Sequence, residues 1–213
     1  ALTDHGAMYG AFKFYLKAKA AGIKPILGVE TYVAKRSHLD KEGKIDTDPY
    51  HLILLAKNET GYKNLLKLVT IAHLEGFYYK PRIDWELLKA HHEGLICTSA
   101  CIQGQVASLL RNGEDIEAEK VALQYAELFG PDHYYIEIQK HPHIPVIDEI
   151  NEKLVQLSRK LGLPLVATND IHYVDAEDAE AQEILLCVQT QRTIVEKDRP
   201  LSMLASPDFY MRS

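Results

Sequence analysis

The sequence is short of the residues that staple small secreted folds: among 213 residues it has three cysteines, Cys97, Cys101 and Cys187, an odd number in a chain large enough to bury a core without crosslinks. A disulfide framework is excluded as the organising device, and reduced thiols in an intracellular setting are expected. Long apolar runs are missing as well. No stretch approaches the roughly 18 uninterrupted apolar residues of a membrane span, and no basic segment followed by an apolar one opens the chain. The expectation is a soluble, cytoplasmic protein with no membrane partner. Positive charge is in deficit, with 24 Lys+Arg against 30 Asp+Glu and a formal net charge of −6. A binder of the phosphate backbone needs the opposite balance, so a nucleic-acid role demands bound cations or another domain. Gly/Ser linkers, low-complexity tracts and internal repeats are absent too, so residues 1–213 are expected to form one domain.

What is present is alternation. Hydrophobic residues make up 46% of the chain, and short β-rich runs take turns with amphipathic stretches, a pattern of βα units with parallel strands. The spacing predicts strands ending at Thr3 and spanning Ile23–Val33, His51–Ala56, Leu95–Ser99, His133–Gln139 and Leu163–Thr168. Helices are predicted over 8–21, with Met8, Ala11, Phe12, Tyr15 and Leu16 on one face, and over 59–75, 85–92, 103–111, 115–129, 146–161 and 176–187. Pro25 and Gly28 predict a bend at the start of the second strand. The charged segment 35–48, with "KEGK" at its middle, reads as an exposed turn or a flexible excursion. The segments "ALTDHG" and "SPDFYMRS" at the two ends start and stop abruptly, as parts of a longer polypeptide would.

Ligand-type residues gather at the strand boundaries. The first strand runs into His5, the second carries Glu30, the third begins at His51, the fourth leads to Cys101 and the sixth ends at Asp170-x-His172. In a barrel-like parallel sheet these positions share the C-terminal rim, and a mixture of nitrogen, oxygen and sulfur donors suits Zn²⁺ or, with fewer thiols, Mn²⁺ or Fe²⁺. Each residue alone has an ordinary reading: a helix cap, a satisfied strand imidazole, a small buried thiol. Five separate segments placing such residues at strand boundaries carry more weight together. Asp170 and His172, two apart on an extended segment, are expected to face the cleft while Ile171 points back into the packing. His141 and His143 in "QKHPHIP" follow the fifth strand and are candidates for substrate contact. His38, His73, His91 and His92 read as structural or solvated, and Glu137 as a strand residue facing a partner.

At "LTDHG", "GVETYV", "PYHLILLAKNETGYKNLLKL", "GLICTSACIQG" and "ATNDIHY" the chain resembles the polymerase and histidinol phosphatase (PHP) domain family, in the branch found at the N-terminus of bacterial DNA polymerase III alpha subunits. The resemblance covers essentially the whole chain. It implies a distorted (β/α)7 TIM-like barrel holding a divalent metal cluster, with His5, Glu30, His51, Cys101, Asp170 and His172 as ligands. Asp170 is expected to work with Glu30 and an upstream His-x-His pair on one ion, and His172 with His5 on another, both as catalytic residues. The family's first motif, a His-x-His pair, belongs upstream of Ala1, so the barrel is expected to be N-terminally truncated. Cys101 stands where many members have His, which favours zinc.

The activity implied is DNA replication by a nucleotidyltransferase, with a phosphoesterase or 3′-to-5′ exonuclease site in this domain. The implied partners are DNA at a 3′ end or primer-template, the rest of the polymerase chain, and the replicative holoenzyme with its proofreading subunits. Two alternatives stay open: a structural module without hydrolysis, and a free-standing phosphomonoesterase of the histidinol phosphatase type. Bound dications would turn the rim of an acidic domain locally positive, which answers the charge deficit.

Overall fold

A computed structural model describes residues 1–204 and 206–212. The elements follow in order as α1 (Ala11–Ala20), β1 (Gly28–Val33), β2 (Tyr50–Ala56), α2 (Glu59–Leu74), β3 (Arg82–Ile83), α3 (Trp85–His91), β4 (Leu95–Thr98), α4 (Gln105–Arg111), α5 (Asp115–Phe129), β5 (Tyr134–Gln139), α6 (Pro145–Leu161), β6 (Leu165–Thr168), a 3₁₀ turn (Ala176–Asp178) and α7 (Ala179–Thr190). Local chemistry sets the ends. Asn58 caps α2 by accepting from Gly61 N, and α6 starts with Pro145 and stops at Gly162, whose φ of 66° suits the left-handed position that ends a helix. Ile147, Ile150, Leu154 and Leu157 recur at helical spacing along α6 and are buried. Among the described residues no helix is long and apolar enough to cross a membrane.

The strands form one mixed sheet in the order β3-β1-β2-β4-β5-β6. The expectation of parallel strands fails at β2, which runs antiparallel to both β1 and β4, while β1/β3, β4/β5 and β5/β6 are parallel. The cause lies in segment 34–49, which contains no helix; a parallel return needs a crossover, whereas a turning loop brings the next strand back antiparallel. A single buried cluster, including Val29, Leu54, Leu65, Tyr125, Ile136 and Leu154, joins the inner faces of the helices to the sheet.

Three other expectations change. The apolar face read into residues 8–21 is only partly buried: Met8 and Ala11 pack inward, with Ala18, but Phe12 is 72% exposed and Tyr15 and Leu16 also face solvent. The apolar run from Leu163, long enough for a buried strand, buries Leu163 but continues as β6, a half-exposed edge strand. Segment 35–48 is pinned, not flexible. The fully buried Arg82 guanidinium donates to the carbonyls of Gly76, Asp46, His38 and Asp40, and Arg36 pairs with buried Asp46 at 2.6 Å.

Candidate functional site

The first residues lie alongside β1 in parallel, with Gly28 N donating to Leu2 O, Glu30 N to Asp4 O and Gly6 N to Glu30 O. This registers His5 with Glu30. The reversal of β2 has a direct consequence here, because it brings the beginning of that strand to the rim where the parallel strands end. His51 therefore pairs with Tyr32 across β1 and puts Nδ1 2.6 Å from Glu30 Oε1. His5 Nδ1 approaches the same oxygen at 3.1 Å. Beyond β4 a turn closed by Gly104 N donating to Cys101 O holds the Cys101 thiol 3.6 Å from His51 Nδ1. After β6, His172 Nδ1 donates to Asp170 O at 2.8 Å, and His172 Nε2 stands 3.3 Å from His5 Nε2.

The six ligand candidates thus form a continuous chain of contacts. Its path, from Asp170 and His172 through His5, Glu30 and His51 to Cys101, crosses from one edge of the sheet to the other. In a flat sheet the segment beside β1 and the end of β6 would be five strand spacings apart, about 24 Å. The sheet is therefore strongly curled.

One expectation about this stretch is corrected. Asp170 adopts a φ of 50° instead of an extended conformation, so the alternation of side chains breaks and Ile171 is 47% exposed rather than packed behind the site. Aspartate tolerates the left-handed region because its short polar side chain can bond locally.

The electrostatics reflect crowding. Burial would raise the Glu30 carboxyl, but the two imidazoles outweigh it and bring the pKa down to about 2. The Glu30 carboxylate in turn raises His5, against the opposing effect of burial. Burial lifts Asp170 above the ordinary carboxylate range, with His172 opposing, and pushes the Cys101 thiol well up, with Glu30 and Asp170 adding to it. Burial, then Glu30, raises Tyr32 to about 12, so its hydroxyl stays protonated 3.2 Å from His5 Nδ1. Sequence reasoning passed over Tyr32, although the two-residue spacing of Glu30 and Tyr32 along one strand was the signal for a shared face.

Other candidates fall differently. His141 is 1% exposed, with neither ring nitrogen hydrogen-bonded to any of the described residues, and stacks on Phe209 at 4.2 Å; Phe209 also meets the edge of His172. His143 lies outside, 3.7 Å from Asp208. Glu137 is buried and shared between Thr98, Thr168 and Gln139, tying together the ends of β4, β5 and β6 behind Cys101 and Asp170. His38 bonds Asp84 and His73 donates to Gly6 O.

The fit of this arrangement to a metal can be tested on two features. Glu30 Oε1 has two nitrogens within 3.1 Å, yet neither is aligned for a hydrogen bond and the buried oxygen stays unpartnered. His172 spends its Nδ1 proton on Asp170 O, so its Nε2 presents a lone pair, and His5 Nε2 faces it at 3.3 Å. The space between them takes either a proton on His5 Nε2 or a cation. Two nitrogens on one tetrahedral zinc, each at its usual bond length, are also about 3.3 Å apart. The donor types and these pairs fit a metal. Among the described residues, however, no three His, Cys, Asp or Glu groups are placed to hold one ion, so an ion here would complete its shell with water, substrate oxygens or residues beyond these.

Comparison with known proteins supplies the context. A family model described as the PHP domain matches residues 1–141. The DNA polymerase III subunit alpha of Borreliella burgdorferi is 50% identical over 214 residues, covering 100% of this chain and 18% of the relative. That of Treponema pallidum is 48% identical over 217 residues with the same coverage, and that of Thermus aquaticus 46% identical over 201 residues, covering 93% of this chain and 16% of the relative. The chain thus spans under a fifth of the length of these relatives.

Proposed function

We infer that this chain, which belongs to the PHP domain family, serves as the PHP portion of a bacterial replicative DNA polymerase and carries a metal-dependent phosphodiesterase site acting on a DNA 3′ end. The observation that carries the reading is the contact of His5 with His172, which gathers ligand-type residues from both edges of the sheet at one rim. The same contact supports closure of the sheet into a distorted (β/α)7 barrel formed by residues 1–213. Similarity along the whole chain to polymerase III alpha subunits supports the replicative setting, with DNA, the remainder of the polymerase and proofreading subunits as partners in the cytoplasm.

His5 and His172 would hold one ion, and Glu30, His51, Cys101 and Asp170 are the donors for others; this mixture favours zinc, with Mn²⁺ or Fe²⁺ the alternatives. Such ions would neutralise phosphate charge and acidify a bound water. The protein's own groups do the positioning. The Asp170 carbonyl fixes the tautomer of His172, the Tyr32 hydroxyl orients His5, and Glu30, ionised across the neutral range, offsets cationic charge at the rim. Glu137 holds the strand ends that carry Cys101 and Asp170.

A structural role without hydrolysis is the second reading, and the lack of a three-donor group among the described residues favours it. The deciding experiment follows release of nucleotides from a 3′-labelled single strand with zinc or manganese added and then chelated. Chelator-sensitive release that disappears in His172→Ala supports the phosphodiesterase. A metal-independent or absent release supports the structural module.

A further inference from the structure

Beside the rim, the segment "GFYYKPR" makes a tight turn in which Tyr78 N donates to Lys80 O at 3.0 Å. Tyr79, at the tip, has a φ of 59°. That left-handed conformation is unfavourable for a bulky L residue and is normally given to Gly or Asn, and here it holds a tyrosine ring 70% exposed to solvent. The ring is not loose. Tyr78 braces it edge-on at 4.8 Å, and the Arg82 guanidinium lies 5.4 Å from the Tyr78 ring. A strained backbone that turns a braced aromatic outward is the kind of outlier that accompanies a ligand site.

The turn is also fixed against the site. Gly6, next to His5, has no room for a side chain: a Cβ there would meet Pro81 Cγ at 2.7 Å and the Tyr32 ring at 3.0 Å. Lys80 Nζ lies 5.3 Å from the centre of the Tyr32 ring, whose hydroxyl is 3.2 Å from His5 Nδ1. An ammonium is therefore mounted within one side chain of His5, and the exposed Tyr79 ring stands on the adjoining residue of the same turn. Base on aromatic plus cation on phosphate is the pairing by which single strands are held without regard to sequence.

We propose that Tyr79 and Lys80 form a nucleotide subsite for the 3′ end of single-stranded DNA, Tyr79 stacking on a terminal base and Lys80 contacting the adjoining phosphate. This deepens the phosphodiesterase reading and rests on it for the polarity of the strand. It assigns strand-end capture to a part of the chain that supplies none of the six ligand candidates.

The test uses the full chain and a single strand ending 3′ in 5-iododeoxyuridine, photocrosslinked and mapped by mass spectrometry. The crosslink is expected at Tyr79. Tyr79→Gly, which relieves the positive φ, should unfold at the same or a higher temperature yet abolish that crosslink and raise KM for the oligonucleotide about tenfold, the order expected for loss of one stacked base. Hydrolysis of the baseless bis(p-nitrophenyl) phosphate should not change, and Tyr79→Trp should restore oligonucleotide binding. Lys80→Gln should lower the slope of log affinity against log salt by about 0.7, one phosphate contact. A crosslink at Tyr79 with no hydrolysis would leave the subsite standing and remove the phosphodiesterase. Hydrolysis of DNA with an unchanged KM in Tyr79→Gly and no crosslink at the turn would overturn the subsite. So would a Tyr79→Gly chain that melts at a lower temperature without any change in DNA binding, because the turn then packs against another part of the protein.

Discussion

His5 Nε2 and His172 Nε2 stand 3.3 Å apart although 167 residues separate them in sequence. The contact closes the two ends of the sheet on each other, and each imidazole already has a use for its other nitrogen. If a metal ion completes the pair, zinc at 100 times its dissociation constant should stabilise the fold by about 2.7 kcal/mol. For a domain of this size that is a rise of roughly 5–10 °C in melting temperature. Differential scanning calorimetry with and without chelator reads it, and His172→Ala should lose most of the rise.

Asp170→Asn should keep the fold, because the main-chain carbonyl that orients His172 is untouched. Metal-dependent hydrolysis should fall by about 10-fold to 100-fold, the usual cost of disturbing a metal-site carboxylate or its support. Nuclease assays on purified protein, beside its melting curve, check this. Wild-type, chelator-sensitive activity in the variant would remove Asp170 from the site.

Arg82 satisfies four backbone carbonyls while wholly buried. Arg82→Met leaves those acceptors without donors, at about 1–3 kcal/mol for each that water cannot reach. The expected loss is at least about 3 kcal/mol in urea unfolding, with faster protease cleavage within 36–48. Lys in its place should recover little, since a point ammonium cannot reproduce the planar fork.

The far end of the chain should be acid-labile. Burial alone would raise the Glu183 carboxyl, but Met203 N, Ser202 and the Arg199 guanidinium, 2.6 Å away, outweigh it and hold it below the usual range. A carboxylate depressed in the folded state contributes its full stability above the unfolded pKa of about 4.3, and loses it as pH falls through the lower folded value. Hydrogen exchange around 192–204 should therefore accelerate below about pH 4, and Glu183→Gln should show the acid behaviour already at neutral pH.

Much of this was legible in the residues. Helix 115–129 and the helical run after Asn58 announce themselves by their period, and the ligand-type residues stand at the strand boundaries where they meet in the fold. What the residues conceal depends on partners far along the chain. The reversal of β2 is set by how segment 34–49 turns, and that turn is held by Arg82, whose role cannot be read until its carbonyl acceptors are in space. The outward face of α1 carries the same period as a buried one, so pattern alone cannot tell them apart. Asp170 reads as extended only if alternation continues past β6, and a single left-handed residue ends it there.

That the rim holds metal is tested by anomalous diffraction from zinc-soaked crystals, recorded on both sides of the zinc edge. An anomalous peak is expected within bonding distance of both His5 Nε2 and His172 Nε2, absent from His172→Ala crystals. No peak between those nitrogens at saturating zinc, with His5 and His172 still 3.3 Å apart and joined by a proton, would contradict it.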